Sequence, residues 1–344
     1  MVVSHRFVLT LTAAALLAGC SSATAPSVAP PMAGAASSAR SQLPVRSARG
    51  SVSAAYMPLR GGSPHAVAPA AQPAGFDAGL APVVYACEPD YNQCTVYRQG
   101  TKALLRTVTG LSEPQGTAVD ASGNWYIANT AGSSIPVYKK NGAVLSKTLS
   151  DPAEYPVDAA VGSGTVAVSN IYTTSFTAGN LAIYVGGATT PSYALSDPNA
   201  FQGIGVAFDG SGNCYWSYNS SSGVGQIDEF PGCSPSSSPV NLGIATGFAG
   251  GIAVDKAGNL WYLDQYNGLY ECSGTTSCAQ VATGFGDPVF FDFSHADKAL
   301  FIADYGNNQI DRSKGKLPAI GPDFIVTPWL SVNGVISASA QPPQ

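Results

Sequence analysis

An all-β fold built from six four-stranded sheets is what this sequence predicts, and three observations carry the prediction. First, a turn recurs: Asp120-Ala-Ser-Gly-Asn124, Asp209-Gly-Ser-Gly-Asn213 and Asp255-Lys-Ala-Gly-Asn259. Second, a Gly-rich apolar run precedes each copy and an aromatic-rich run follows it, as Gly250-Gly-Ile-Ala-Val254 and Leu260-Trp-Tyr-Leu-Asp264 do for the third. Strand, Asp/Gly/Asn turn and strand, spaced by about forty residues, form the repeat of a propeller blade. Third, the composition suits an extracytoplasmic β domain: charged residues are only 11%, while Gly (38) and Pro (25) are abundant. A net charge of -5 with no Lys/Arg cluster argues against nucleic acid as partner and against a polybasic membrane patch.

The elements follow in chain order. His5 and Arg6 precede an apolar stretch, Phe7 to Leu17, too short for a membrane span but suited to a signal sequence. It ends in Leu17-Ala18-Gly19-Cys20, which resembles the bacterial lipobox, so residues 1–19 are expected to be a signal peptide and Cys20 the acylated N-terminus. Each buried CH₂ of an acyl chain contributes about 0.8 kcal/mol, so two or three chains anchor firmly. Ser21 and Ser22, with no Asp beside the cysteine, point by analogy to the outer membrane of a bacterial envelope. Residues 20–80 are Ala, Pro, Ser and Gly with scattered Arg, a composition that reads as a flexible tether spanning roughly 40 to 45 Å. The alternative is a segment that wraps the domain, with Tyr56, Met57 and Leu59 as its docking patch.

Six units then follow over residues 81–338. Their second strands are Val83 to Glu88, Trp125 to Asn129, Thr165 to Asn170, Cys214 to Tyr218, Leu260 to Asp264 and Leu300 to Asp304. The first unit lacks an upstream inner strand, and the last has surplus sequence, Val332 to Ser339, that reads like Gln115 to Ser122. The C-terminal strand is therefore expected to become the inner strand of blade one, removing an exposed sheet edge, with 339–344 as a tail. A disordered tail is the alternative. Short, uneven strands and the recurring turn oppose an outer-membrane barrel.

Pro114-x-Gly116-x-Ala-Val-Asp120-x-x-Gly123-Asn124-x-Tyr126-Ile-Ala-Asn129 and Phe301-Ile-Ala-Asp304-Tyr-Gly-Asn-Asn-Gln-Ile310 resemble NHL repeats, degraded where Val161-Gly-Ser-Gly-Thr replaces the turn. The resemblance implies a six-bladed propeller, a platform for interactions and in some members an enzyme.

Of the seven cysteines, the six beyond Cys20 fall in pairs. Locality favours disulfides Cys87–Cys94, Cys214–Cys233 and Cys272–Cys278, and the spacings do not suit zinc. Two sets of polar residues border the expected channel: Glu113, Gln115, Tyr155, Asp158, Gln202 and Asp287 beside the inner strands, and Glu88, Asn129, Asn170, Tyr218, Asp264 and Asp304 at the ends of the second strands. Such oxygens suit Ca²⁺, and the similar gluconolactonase group builds its metal site from Glu, Asn and Asp; the same residues are also ordinary turn formers. The histidines are His5, His65 and His295, none placed for a triad or for the catalytic His of the similar virginiamycin-B-lyase-like propellers. No catalytic residue is therefore assigned. Tyr91, Tyr172, Phe176, Tyr266 and Tyr305 follow the second strands, either on an exposed loop face or packed between blades. The expected function is a monomeric, lipid-anchored binding or scaffolding module for a protein, peptide or glycan. The alternative is a Ca²⁺-dependent lactonase-like hydrolase, or a lyase-like enzyme, using the central channel.

Overall fold

The computed structural model describes residues 82–142, 144–294, 299–314 and 324–340. The chain divides into Met1–Val45 and Arg46–Gln344, and every described residue belongs to the second unit. The signal sequence, Cys20, the tether and His295 lie outside the described residues.

Alternating apolar and polar residues bounded by Gly, Asn and Pro turns give short antiparallel strands. Blade one contains β1 (Val83–Glu88), β2 (Gln93–Arg98) and β3 (Leu104–Val108). Blade two is β4 (Pro114–Val119), β5 (Trp125–Asn129), β6 (Ser134–Tyr138) and β7 (Leu145–Ser150). Blade three is β8 (Glu154–Gly162), β9 (Thr165–Thr173), β10 (Leu181–Val185) and β11 (Tyr193–Leu195). Blade four is β12 (Ala200–Phe208), β13 (Cys214–Ser220), β14 (Gly225–Phe230) and β15 (Val240–Thr246). Blade five is β16 (Ala249–Val254), β17 (Leu260–Asp264), β18 (Gly268–Ser273) and β19 (Ser277–Ala282). Blade six is β20 (Pro288–Phe293), β21 (Leu300–Asp304), β22 (Gln309–Lys314) and β23 (Ile325–Ser331). The last strand, β24 (Ser337–Ala340), pairs antiparallel with β1, placing Val84 opposite Ala340 and Cys87 opposite Ser337. The inner strands β4, β8, β12, β16, β20 and β24 contact one another in sequence around a closed ring. The fold is a six-bladed β-propeller. Its closing strand runs to Ala340, two residues past the expected boundary at 338, and Ser339 Oγ donates to the carbonyl of Thr117 at 2.7 Å.

The recurring turn closes the hairpin between the first two strands of blades two, four and five. Asp120 Oδ1 accepts the backbone N–H of Ser122 and Asn124, and its Oδ2 accepts Asn124 Nδ2 and Tyr126 Oη. Asp209 repeats the pattern, and Asp255 does so with Trp261 Nε1 in place of the tyrosine. The motif glycines Gly123, Gly212 and Gly258 have φ of 79°, 87° and 84°, the left-handed region that disfavours a Cβ. Blade three reaches the same hairpin differently: Ser163 (φ 47°) and Gly164 (φ 78°) form a two-residue loop between paired Gly162 and Thr165.

Aromatic side chains fill the seams between blades. Trp125, Trp216 and Trp261 are fully buried, with Trp125 stacked on Tyr85 across 4.5 Å and Trp261 edge-on to Phe293 at 5.6 Å. Each such ring contributes about 2 to 3 kcal/mol of burial. All three expected disulfides are formed: Cys87–Cys94, Cys214–Cys233 and Cys272–Cys278. No helix among the described residues is long and apolar enough to cross a membrane.

Candidate functional site

Strand direction sorts the connections into two faces. The Asp-x-x-Gly-Asn turns and the links from third to fourth strands lie on one, the turn face. The links from second to third strands, and from each blade to the next, lie on the other, the loop face. The axis between the faces is filled. Five residues before the turn aspartates, and at matching positions elsewhere, stand Gln115, Val157, Ile204, Gly250, Val289 and Ile336, all buried. Val157, Ile204, Val289 and Ile336 belong to one apolar cluster, on which Tyr155, Phe248 and Tyr305 pack from the loop face. The inner strands approach so closely that a Cβ on Gly205 would come within 2.9 Å of the Gly251 Cα. At this level the channel expected from sequence is closed to solvent.

The polar residues that close the second strands therefore do not line an open pore. Asp264 accepts the backbone N–H of Gly247, Phe248 and Tyr266, and Asn267 Nδ2 at 2.7 Å. Asp304 accepts those of Gly286, Asp287 and Asn307, and Asn307 Nδ2 at 2.7 Å. Asn129 Oδ1 caps Ser112 N–H at 2.6 Å. Asn170 is fully buried and donates to Asn180 Oδ1, and Asn180 in turn donates to Glu154 Oε1. Glu88 is buried against Gln93 Nε2 and Thr95 Oγ1, and burial pushes its carboxyl upward. Tyr218 packs in the seam between blades three and four and donates to Gln226 Oε1; its neighbour Asn219 is the residue that reaches the next blade, accepting Ala249 N–H at 2.9 Å. Asp158 sits between inner strands, not on a channel wall: it accepts Val206 N–H at 3.0 Å and would collide with a side chain at Gly116. Its burial holds the carboxyl well above the ordinary range.

This arrangement does not fit the expected Ca²⁺ centre. Among the described residues no three His, Cys, Asp or Glu side chains gather as a metal-holding group. The two carboxylates best placed for one, Asp264 and Asp304, already have donors on both oxygens. Ca²⁺ takes six to eight oxygen ligands, waters and carbonyls among them, and is held by carboxylates with lone pairs to spare.

The exposed large aromatic side chains of the described residues stand on the loop face. Tyr266 is 60% exposed, Phe176 49% and Phe201 37%. Phe176 lies 5.8 Å from Tyr155 and 6.4 Å from Tyr172, Phe201 lies 5.2 Å from Tyr172, and Tyr266 lies 5.9 Å from Phe248. Tyr172 is itself the correction to the expected rim: only 4% exposed, it sits in the axial cluster with its hydroxyl bonded to Gln202 Nε2. Tyr91 is half-buried against Gly334.

Beside this aromatic sector lies an acidic one. Tyr305 Oη donates to Asp90 Oδ2 at 3.1 Å, and the Glu113 N–H donates to Asn92 Oδ1 at 2.8 Å. Glu113 Oε2 is buried and has no donor. Burial, then the charge of Asp90, raises the Glu113 carboxyl; burial, then the charge of Asp304, pushes Asp287 up to about 6. Tyr305 rises to about 12, from burial and then the nearby Asp90. Toward blade three, Glu154 is lifted to about 7 by burial and by Asp151, itself raised by burial to about 6. None of the twelve loop-face connections contains Lys, Arg or His. The described cations stand elsewhere, at the turn face (Arg98, Lys102, Lys139 and Lys256 among them) or on outer strands.

Sequence reasoning missed Asp90, Phe201 and Phe248. Counting charge connection by connection, instead of over the whole chain, would have flagged this face.

No family model matches the chain, and no curated protein matches it. Solved structures match its fold. A chain of a nidogen–laminin complex is similar with a TM-score of 0.57 and 13% identity, over 76% of this chain and 98% of that one. A catalytically inactive virginiamycin B lyase from Staphylococcus aureus, crystallised with quinupristin, gives 0.51 and 13%, over 74% and 86%. A hydrazine synthase of Kuenenia stuttgartiensis gives 0.51 and 10%, over 72% and 83%. At such identities the likeness is one of fold, and that fold serves both binding and catalysis.

Proposed function

We propose that this chain is a non-catalytic binding module of the NHL-repeat type, held to a bacterial envelope membrane through acylated Cys20 and taking its ligand on the loop face. One observation carries the reading: the exposed rings of Phe176, Phe201 and Tyr266 gather on one face, above an axis closed to solvent. Aromatic anchors with a polar rim are the composition of recognition surfaces. The filled axis and the saturated Asp264 and Asp304 count against a channel enzyme. In this reading the protein works as a monomer outside the cytoplasm, and its tether lets the propeller search the space above the membrane.

The test is binding of the full chain to peptide and glycan arrays, repeated with the double variant Phe176→Ala, Tyr266→Ala. We expect the signal to fall tenfold or more at an unchanged melting temperature. Signal that survives, or turnover of lactone or lyase substrates by the full chain, would sink the reading. Fractionation tests the anchor: Cys20→Ser should move the chain from the membrane to the soluble fraction.

A further inference from the structure

We infer that the loop face recognises a cationic segment of polypeptide, with Arg or Lys over Asp90, Glu113 and Asp287 and apolar residues over Phe176 and Phe201. The inference rests on the binding-module reading and deepens it. Charge complementarity carries it, because the acids and exposed rings share a face whose connections hold no cation of their own.

The electrostatics separate the two ends of the ring. Carboxyls at Asp90, Glu113, Asp151, Asp197 and Asp287 all stand in loop-face connections, so their fields add above that face, where a bound cation would be partly shielded from water. Charge that the protein does not neutralise internally is available to a partner, and it acts on the rate of encounter as well as on specificity. Glu113 adds geometry to charge: its backbone is held at a φ of 50° with the N–H fixed by Asn92, and its Oε2 is buried without a donor, so this carboxyl contributes through its field beside the exposed Asp90. Tyr305 pins Asp90 next to it. A guanidinium presents donors in a planar fork and stacks on rings, so it satisfies a carboxylate and an aromatic neighbour together. Phe176 and Phe201, on the adjoining blades three and four, offer the apolar footing that a bare cation would not use. A neutral glycan would need ring faces and amides but gains nothing from this field. An anionic polymer would be repelled by it.

The experiment uses the full chain and three labelled dodecapeptides of identical aromatic and Leu content, differing only in four positions that are all Arg, all Ser or all Glu. Binding is followed by fluorescence anisotropy at about 0.15 M salt, where surface charges act over about 8 Å. The expected result is at least tenfold tighter binding of the Arg peptide than of the Ser peptide and none of the Glu peptide. The double variant Asp90→Asn, Glu113→Gln should remove that preference at an unchanged melting temperature, and Phe201→Ser should weaken all binding. Equal binding of the Arg and Ser peptides, lost with Phe201→Ser, would overturn the cationic inference while leaving the loop face as the binding face. Arg-peptide binding indifferent to every loop-face substitution would overturn both. Two other occupants have their own outcomes, and each would overturn an external partner. If changing Arg40, Arg46, Arg49 and Arg60 to Ser is needed before the Arg peptide binds, the chain's own leading segment holds the face. If sedimentation shows self-association abolished by the Asp90/Glu113 variant, a second copy does.

Discussion

On the turn face, Asp120, Asp209 and Asp255 repeat one local hydrogen-bond pattern nearly atom for atom in blades two, four and five, whereas the loop face mixes a recurring long-range tie with contacts particular to single blades. Blades two, five and six tie the end of the second strand to the segment entering the inner strand, through Asn129, Asp264 and Asp304, and blades five and six add an Asn three residues on. The difference separates two uses of the same residue type. A turn aspartate bonds only within seven consecutive residues of its own hairpin, so its role is local. A loop-face aspartate ties a second strand to the segment entering the inner strand, more than fifteen residues back in sequence, with |i−j| of 17 for Asp264 to Gly247 and 18 for Asp304 to Gly286. One end of the ring is thus held by hairpins that close on themselves and the other by ties between distant segments, and the loops between those ties vary from blade to blade.

The sharpest way to break this comparison is to remove one aspartate from each end. Asp304→Ala strips a fully buried acceptor from the N–H groups of Gly286, Asp287 and Asn307 and leaves them without their partner, at a cost of about 3 kcal/mol. Asp120→Ala opens a turn that water can reach and costs about 1 kcal/mol. Denaturant melts of the two variants measure the ratio. Equal losses would mean that the loop-face carboxylate is no more than another turn former.

That contrast also explains what was legible in the sequence. The six blades, the closing strand and the disulfides could be read because each depends on local patterns: a five-residue turn, alternating strands, cysteines a few residues apart. The loop face depends on which chain segments the ring brings together. Asp90 meets Tyr305 across 215 positions of sequence, and no spacing announces that pair. Tyr172 and Tyr266 occupy comparable places after their second strands, yet one is core and the other surface, because β9 runs on to Thr173 and carries Tyr172 inward while β17 stops at Asp264. Asp158 reads in the sequence as a polar residue bordering the channel; its carboxyl instead bridges neighbouring inner strands, where the matching positions in blades two, four and five are glycine.

A smaller effect sharpens the comparison through pH. Burial lifts Asp151, Asp228, Asp287 and Asp311 to about 6 and Glu154 to about 7. A carboxyl raised in the fold favours the protonated folded state, so its stabilisation is complete below the unfolded value near 4 and is lost as pH rises through about 6 to 7. The melting temperature should therefore be several degrees higher at pH 5 than at pH 8. Binding of a cationic peptide should run the opposite way, strengthening between pH 5 and 7.5 as Asp287 ionises. Stability that rises with pH would contradict the first assignment, and binding that weakens with pH would contradict the second.

The smallest expected effect on stability is the one that most directly identifies the surface. Tyr266 leaves most of its ring in water and touches Phe248 alone among the described aromatic pairs, so Tyr266→Ala should cost less than about 0.5 kcal/mol. Tyr172→Ala, by contrast, opens a cavity in the axial cluster and should cost about 3 kcal/mol or more. If the loop face binds through its exposed rings, Tyr266→Ala weakens peptide binding by about 1 kcal/mol or more while the melting temperature barely moves. A variant with both properties unchanged would remove Tyr266 from the binding surface and confine recognition to Phe176, Phe201 and the carboxyls beside Tyr305. A large loss of stability would instead show that the ring is structural, and that the loop face is organised by packing as tightly as the turn face is by hydrogen bonds.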